Sequence, residues 1–241
     1  MQYRKTGIIG AMEMEVAALK EQLDGMHVQE YAGMSFCEGT LHGRSVVVVR
    51  SGVGKVNAAL CTQILSDRFQ ADTIINTGVA GSLDARIDIG DIVISTDAMY
   101  HDVDATVFGY APGEVPQLGI TAFPADEALA ALAAEACRRA APDRHVFFGR
   151  VVSGDQFIIN REQKEKIAEK FHGICTEMEG AAIAQAAYLN RIPFIIVRVI
   201  SDKADESAYE EYPVFERKAA HASAGMIETL MKILDERVKD Q

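Results

Sequence analysis

Carboxylates set beside glycine turns are the residues most able to do chemistry in this sequence. GIIGAMEMEV (7–16) brings Glu13 and Glu15 to the point where an apolar run gives way to a helical pattern. Acids in a helix's first turn are ordinary partners of its dipole; Glu15 facing a cleft would instead be a base, and the local pattern allows both. TEMEG (176–180) flanks Met178 with Glu177 and Glu179 ahead of an Ala-rich stretch, and VRVISDKAD (197–205) puts Asp202 directly after an apolar strand that begins at Pro193-Phe194. Such an Asp can cap the following turn, but its place at a strand's carboxyl end favours a site.

Two glycine turns accompany these acids. SGVGKVNAAL (51–60) follows a strand and opens a helix, the context in which backbone N–H groups meet an anionic or polar ligand. Its spacing excludes the familiar nucleotide loops. Val49 stands where a phosphate-binding loop needs its first glycine, Val56 follows Lys55 where Ser or Thr should hold Mg²⁺, and Asn57 replaces the third glycine of a dinucleotide fingerprint. Gly7 and Gly10 fail that fingerprint too, so ATPase and dehydrogenase chemistry both drop out. In INTGVAGSL (75–83), Gly78 and Gly81 would let a flat ring approach the backbone, although tight strand packing explains the same glycines.

The elements that must position these groups alternate. Short Val/Ile-rich runs at 6–12, 45–50, 73–79, 91–95, 147–153 and 194–200 read as buried strands. Helical periodicity lies at 13–24, 55–69, 125–140, 161–170, 179–190 and 214–237. This predicts one α/β domain spanning 1–241, with a mostly parallel or mixed sheet between helices and ligand sites at the carboxyl ends of the strands. A hairpin over 33–50 turns at His42-Gly43, and 111–124, with Pro112, Pro116 and Pro124, reads as a long ordered loop bordering a site.

Composition narrows the ligand. A net charge of -11, from 24 Lys+Arg against 35 Asp+Glu, opposes a phosphate-backbone partner, so no nucleic acid is expected and a small molecule is. Neither a secretory leader nor an apolar stretch near a membrane-spanning length appears, which places the chain in the cytoplasm with no membrane partner. Cys37, Cys61, Cys137 and Cys175 lack C-x-x-C spacing and are expected as reduced, structural thiols; the six histidines form no zinc-binding pair, and no metal or cofactor is expected.

Taken in order, GIIGAMEMEV, SGVGKVNAAL, INTGVAGSL, YHDVDATVFGY, VVSGDQFI, TEMEG and VRVISDKAD resemble the bacterial 5′-methylthioadenosine/S-adenosylhomocysteine nucleosidases, over residues 6 to about 235. The resemblance implies a nucleoside phosphorylase-like fold, a mixed sheet twisted into a partial barrel, a homodimer, and hydrolysis of adenine nucleosides by water in methionine salvage. It further implies that Glu15 activates the water, that Asp202, positioned by Ser201, protonates adenine N7, and that Glu179 and the Met178 backbone hold the ribose hydroxyls, Met178 also packing beside the sugar. Phe157 would stack on the purine, Ile158 would read its edge through its peptide groups, and Ala80 and Gly81 would line the base. Met12, Val53 and Tyr212 would form an apolar 5′ pocket, with Ala105 and Phe108 entering from a partner subunit.

The chemistry is self-consistent. Breaking an N-glycosidic bond builds negative charge on the base and oxocarbenium character on the sugar, so a proton donor is needed at one and anionic or polar groups at the other, as in two-carboxyl glycosidases. Asp202 would therefore carry or relay a proton near neutrality while Glu15 stays ionised, and distinct environments must separate them. A purine nucleoside phosphorylase would place arginines around phosphate; the three loops at Glu15, at Val53 and Lys55, and at Thr77 contain none. An aminodeoxyfutalosine nucleosidase is a second rival reading. A non-catalytic nucleoside-binding protein is a third, disfavoured because binding alone needs neither Glu15 nor a protonated Asp202. Tyr212 departs from the family's usual apolar aromatic.

Overall fold

A computed structural model describes residues 3–205 and 208–239. The elements run β1 (Lys5–Gly10), α1 (Glu13–Lys20), β2 (Asp24–Tyr31), β3 (Met34–Leu41), β4 (Arg44–Arg50), α2 (Lys55–Phe69), β5 (Thr73–Ser82), β6 (Ile92–Tyr100), β7 (Phe123–Pro124), α3 (Glu127–Ala140), β8 (Val146–Ser153), α4 (Arg161–Phe171), β9 (Cys175–Glu177), α5 (Gly180–Asn190), β10 (Phe194–Asp202) and α6 (Ala208–Lys239). All the strands pair into one mixed sheet in the order β10-β6-β8-β9-β5-β1-β4-β3-β2, with β7 on β6. Because β10 also pairs with β5, the strands β10, β6, β8, β9 and β5 close on themselves, and β1, β4, β3 and β2 extend outward from β5. This is the expected partial barrel.

Sequence and topology agree for physical reasons. β1, β5 and β10 lie parallel in the middle of the sheet, and β5 and β10 are buried along their whole length, which is why neither shows the polar-apolar alternation of a half-exposed strand. The amphipathic α6 covers one face, setting Ala220, Ile227, Leu230 and Met231 against Leu129, Val197 and Leu19 in the larger core cluster. Burying each such Leu or Ile is worth about 1.5–3 kcal/mol.

Differences lie where the pattern is weak. β2 (DGMHVQEY) escapes the periodicity of the sequence because it is a polar, mostly exposed edge strand with no alternation to detect. β9 is three residues long, below any periodicity, yet it places Glu177 opposite Ser153. β5, β6 and β10 each run past their expected ends because the residues there are less apolar than the runs that precede them. The stretch 111–124 contributes only the short β7, with Pro124 on a sheet edge where its missing N–H costs nothing. Among the described residues no helix is long and apolar enough to cross a membrane.

Candidate active site

The carboxyl ends of β1, β4, β5, β8, β9 and β10 converge on one cavity. Met12, Glu15, Val53, Ala80, Gly81, Phe157, Ile158, Met178, Glu179, Ser201, Asp202 and Tyr212 all line it, together with Ala11, Val79, Gln156, Thr176, Glu177 and Ala204. Of the expected site residues only Ala105 and Phe108 lie elsewhere. Ala105 precedes a short 3₁₀ turn at 106–108 that ends on Phe108, which is 81% exposed and lines no part of the cavity in its own subunit.

Glu13 and Glu15 separate cleanly. Glu13 stays at the surface and pairs with Lys20 at 2.8 Å, the ordinary fate of a first-turn acid. Glu15 is buried. Its Oε2 accepts from the backbone N–H of Ala11 at 2.7 Å and of Met12 at 2.9 Å, and its Oε1 accepts from Val79 N–H at 3.1 Å. Three donated hydrogen bonds lock the carboxylate between the ends of β1 and β5. Burial raises its pKa above the ordinary carboxylate range, against the opposing pull of Arg198 and of these three N–H groups. Burial therefore works against the ionised form that a base requires, while Arg198 and the three N–H groups favour it, and the raised pKa makes the carboxylate, once ionised, a better proton acceptor than a free Glu.

Behind Glu15 stands a cation that sequence reasoning missed. Arg198 lies in the middle of β10, 1% exposed, paired with Glu177, 2.6 Å from Asn76 Oδ1 and 3.9 Å from Glu179 Oε2. Glu177 is held in turn by the Ser153 hydroxyl and by the N–H groups of Glu179 and Gly180, at 3.2 and 2.8 Å. The absence of arginine from the glycine loops is correct, but the site does contain one, delivered from a strand. The signal was present: a charged residue inside an otherwise apolar buried strand requires buried counter-charges.

Glu179 takes a hydrogen bond from Gly54 N–H at 2.9 Å. Burial, reinforced by the like charge of Glu177, raises its pKa to about 8, with Arg198 and the Gly54 N–H pulling the other way. Asp202 sits at a bulge. The pairing of β10 with β5 shifts between Ile200, opposite Ala80, and Asp202, opposite Gly81, so Ser201 is the extra residue that turns the Asp202 carboxyl into the cavity. Ser201 Oγ is 2.8 Å from Asp202 Oδ2 and 3.4 Å from the Ala80 carbonyl oxygen, and Ala204 N–H donates to Asp202 Oδ1 at 2.8 Å. Gly81 must be glycine here: a Cβ would stand 2.8 Å from both Asp202 Oδ1 and Ala204 Cβ.

At the other end the wall is apolar. Tyr212 packs edge-on to Phe157, ring centroids 5.2 Å apart, and its hydroxyl lies 3.4 Å from Met12 Sδ. The hydroxyl that departs from an apolar aromatic thus meets a thioether. Half-exposed Val53 and Phe157 form the rim. The cavity lining holds four carboxylates and no Lys, Arg or His among the described residues.

The chain matches the Phosphorylase superfamily over residues 5–232 and belongs to it. It is 42% identical to the 5′-methylthioadenosine/S-adenosylhomocysteine nucleosidase of Staphylococcus aureus, across 95% of this chain and 99% of that one. The nucleosidase of Neisseria meningitidis, solved with methylthio-immucillin-A, superposes with a TM-score of 0.91 at 40% identity, covering 95% and 99% of the two chains. That of Colwellia psychrerythraea, solved with adenine, gives 0.91 at 42% identity and 95% of each. Within the superfamily, the chain belongs to the 5′-methylthioadenosine/S-adenosylhomocysteine nucleosidases.

Proposed function

We propose that this chain hydrolyses the N-glycosidic bond of 5′-methylthioadenosine and S-adenosylhomocysteine, and of 5′-deoxyadenosine, releasing adenine and the 5′-substituted ribose. The observation that carries this reading is the charge of the cavity. Glu15, Glu177, Glu179 and Asp202 line it, no cationic side chain among the described residues does, and the Arg198 guanidinium behind it is already engaged by Glu177. A phosphate dianion entering there would meet carboxyl groups, any ionised one of which repels it, and no cation among the described lining residues to pair with it. Water is the nucleophile such a site accepts.

Glu15 takes a proton from water as its oxygen attacks the anomeric carbon. The bond to adenine N9 breaks, its electron pair passes into the purine, and Asp202 delivers a proton to N7, so neutral adenine leaves. Ser201 suits this exchange. Its single hydroxyl proton can point to the Asp202 carboxylate, or turn to the Ala80 carbonyl and leave Oγ free to accept from a protonated Asp202. Glu179 and the Met178 backbone hold the ribose hydroxyls, with Met178 beside the sugar. Phe157, Ile158, Ala80 and Gly81 enclose the base. Met12, Val53 and Tyr212 take the 5′ thioether. General acid and base assistance of this kind contributes about 10²–10⁴-fold each.

A homodimer completes the reading, with Ala105 and Phe108 of one subunit closing the 5′ pocket of the other. The exposure of Phe108 and of the adjacent Val107, at 81% and 83%, supports a covering partner, since neighbouring large apolar side chains are rarely left in water together. The same reading puts the enzyme in the cytoplasm, where the four buried cysteines remain free thiols.

The test is adenine release from 5′-methylthioadenosine, S-adenosylhomocysteine, 5′-deoxyadenosine and aminodeoxyfutalosine, with and without inorganic phosphate. Phosphate-independent release of free methylthioribose is expected. A requirement for phosphate, with ribose 1-phosphate as product, refutes the hydrolase.

A further inference from the structure

One ion-pair cluster outside the reacting groups ties the site's loops together. Lys55 Nζ lies 2.6 Å from Asp102 Oδ2 and 3.7 Å from Asp155 Oδ2, with all three side chains on different loops: the start of α2, the segment after β6 and the segment after β8. Backbone groups join the cluster. Asp102 Oδ2 also accepts from Asp155 N–H at 3.0 Å, and Asp155 Oδ1 accepts from Lys55 N–H at 2.9 Å. The ammonium sits over the Tyr100 ring, 5.4 Å from its centroid, and the Lys55 and Asp102 side chains are 23% and 16% exposed. Asp102 Oδ1 is buried without a hydrogen-bond partner among the described residues, so this carboxylate acts through Oδ2 alone.

The residue before Lys55 is what the cluster holds. Gly54 adopts φ +98°, which an L side chain avoids, and a Cβ there would stand 3.1 Å from Asp155 Oδ1. In that conformation its N–H reaches Glu179 Oε1 at 2.9 Å. Two hydrogen bonds donated by Lys55, one from its ammonium and one from its own N–H, and the longer ion pair to Asp155 thus fix the peptide next to the one that orients the ribose carboxylate. A surface pair would be worth little; here the Lys55 and Asp102 side chains are mostly buried, Asp155 is half-exposed, and the two backbone hydrogen bonds give the cluster a defined geometry.

We propose that Lys55 and Asp102 are positioning residues for Glu179, holding the Gly54 N–H on its carboxylate so that the carboxylate is aimed at the sugar before substrate arrives. The proposal rests on the nucleosidase reading, and adenine release by the wild type tests that reading separately. The experiment measures kcat/KM for 5′-methylthioadenosine in Lys55→Met, Lys55→Arg and Asp102→Asn, each alone and combined with Glu179→Gln, alongside thermal midpoints. Misaiming a substrate-orienting group costs up to about a hundredfold, so Lys55→Met and Asp102→Asn are expected to lose about ten- to a hundredfold, with Lys55→Arg recovering most of it. In the Glu179→Gln background the same changes should cost about threefold or less, because residues that act through one group are not additive. Losses that multiply with Glu179→Gln, or variants with lowered midpoints and unaltered kcat/KM, overturn the proposal. Asp102→Asn preserves shape and carries the test if Lys55→Met does not fold.

Discussion

Replacing Arg198 with Met should produce a stability loss that depends on pH in a direction set by the buried charges. The guanidinium is 1% exposed and is the shared counter-charge of Glu15, Glu177 and Glu179. Removing one partner of such a buried group costs about 3–5 kcal/mol because the remaining charges are left uncompensated. For a chain of this size each kcal/mol moves the midpoint by about 2–4 °C, so a fall of roughly 6–20 °C follows. The sign comes from the carboxylates. Glu15 and Glu179 both titrate above the ordinary value in the folded protein, Glu179 at about 8. Between the unfolded and folded values the native state holds more protons than the unfolded one, so stability falls as pH rises through that window. Deleting Arg198 pushes both carboxyls higher and widens the window. The loss should therefore be largest near pH 8, where they must ionise without a cation, and smallest near pH 5, where they can be neutral. Thermal midpoints of wild type and Arg198→Met across that range test it, and the low-pH limb of kcat/KM should move to higher pH as Glu15 becomes harder to ionise. An equal loss at both ends, or a larger one at pH 5, would refute the assignment of Arg198 as the counter-charge of this cluster.

Three further outcomes follow from the geometry. Asp202→Asn should reduce turnover by about 10²–10⁴-fold while calorimetric affinity for 5′-methylthioadenosine is preserved, and full activity would remove Asp202 from the proton path. Gly81→Ala places a Cβ 2.8 Å from Asp202 Oδ1 and Ala204 Cβ, so it should displace the acid and cost about a hundredfold in kcat/KM; wild-type kinetics in that variant would show that the bulge yields without consequence. Phe108→Ala should raise KM for 5′-methylthioadenosine about tenfold with kcat retained, in a protein that runs as a dimer by light scattering. An unaltered KM would exclude its entry into a neighbouring pocket.

The parts of this fold that could be read from the chain are those whose burial leaves a compositional trace. β5 and β10 are apolar along most of their length because both faces are covered, and α3 and α6 are strongly one-sided. β2 left no trace, being polar and at an edge, and β9 is too short to have a period. Closure of the barrel through the pairing of β10 with β5 is a contact between residues about 120 positions apart, which no local pattern encodes; it could be expected through resemblance alone.

The site divides in the same way. Glu15, Glu179 and Asp202 could be found because acids beside glycine turns and strand ends are unusual, whereas local spacing could not decide between Glu15 as a dipole partner and Glu15 as a base. Burial decides it: Glu13 keeps the dipole role in solvent, and Glu15 turns inward onto three N–H groups. Arg198 was hidden by its neighbours, an apolar strand that absorbs one arginine without altering its hydropathy pattern. Yet that arginine explains how several carboxylates can share a closed space at all. It stands behind the cavity rather than in it, so its charge lowers the cost of burying Glu15 and Glu179 without offering an incoming anion a binding site. Here Glu177 engages the guanidinium, and the cavity lining among the described residues is left without a cation to pair with an anionic nucleophile.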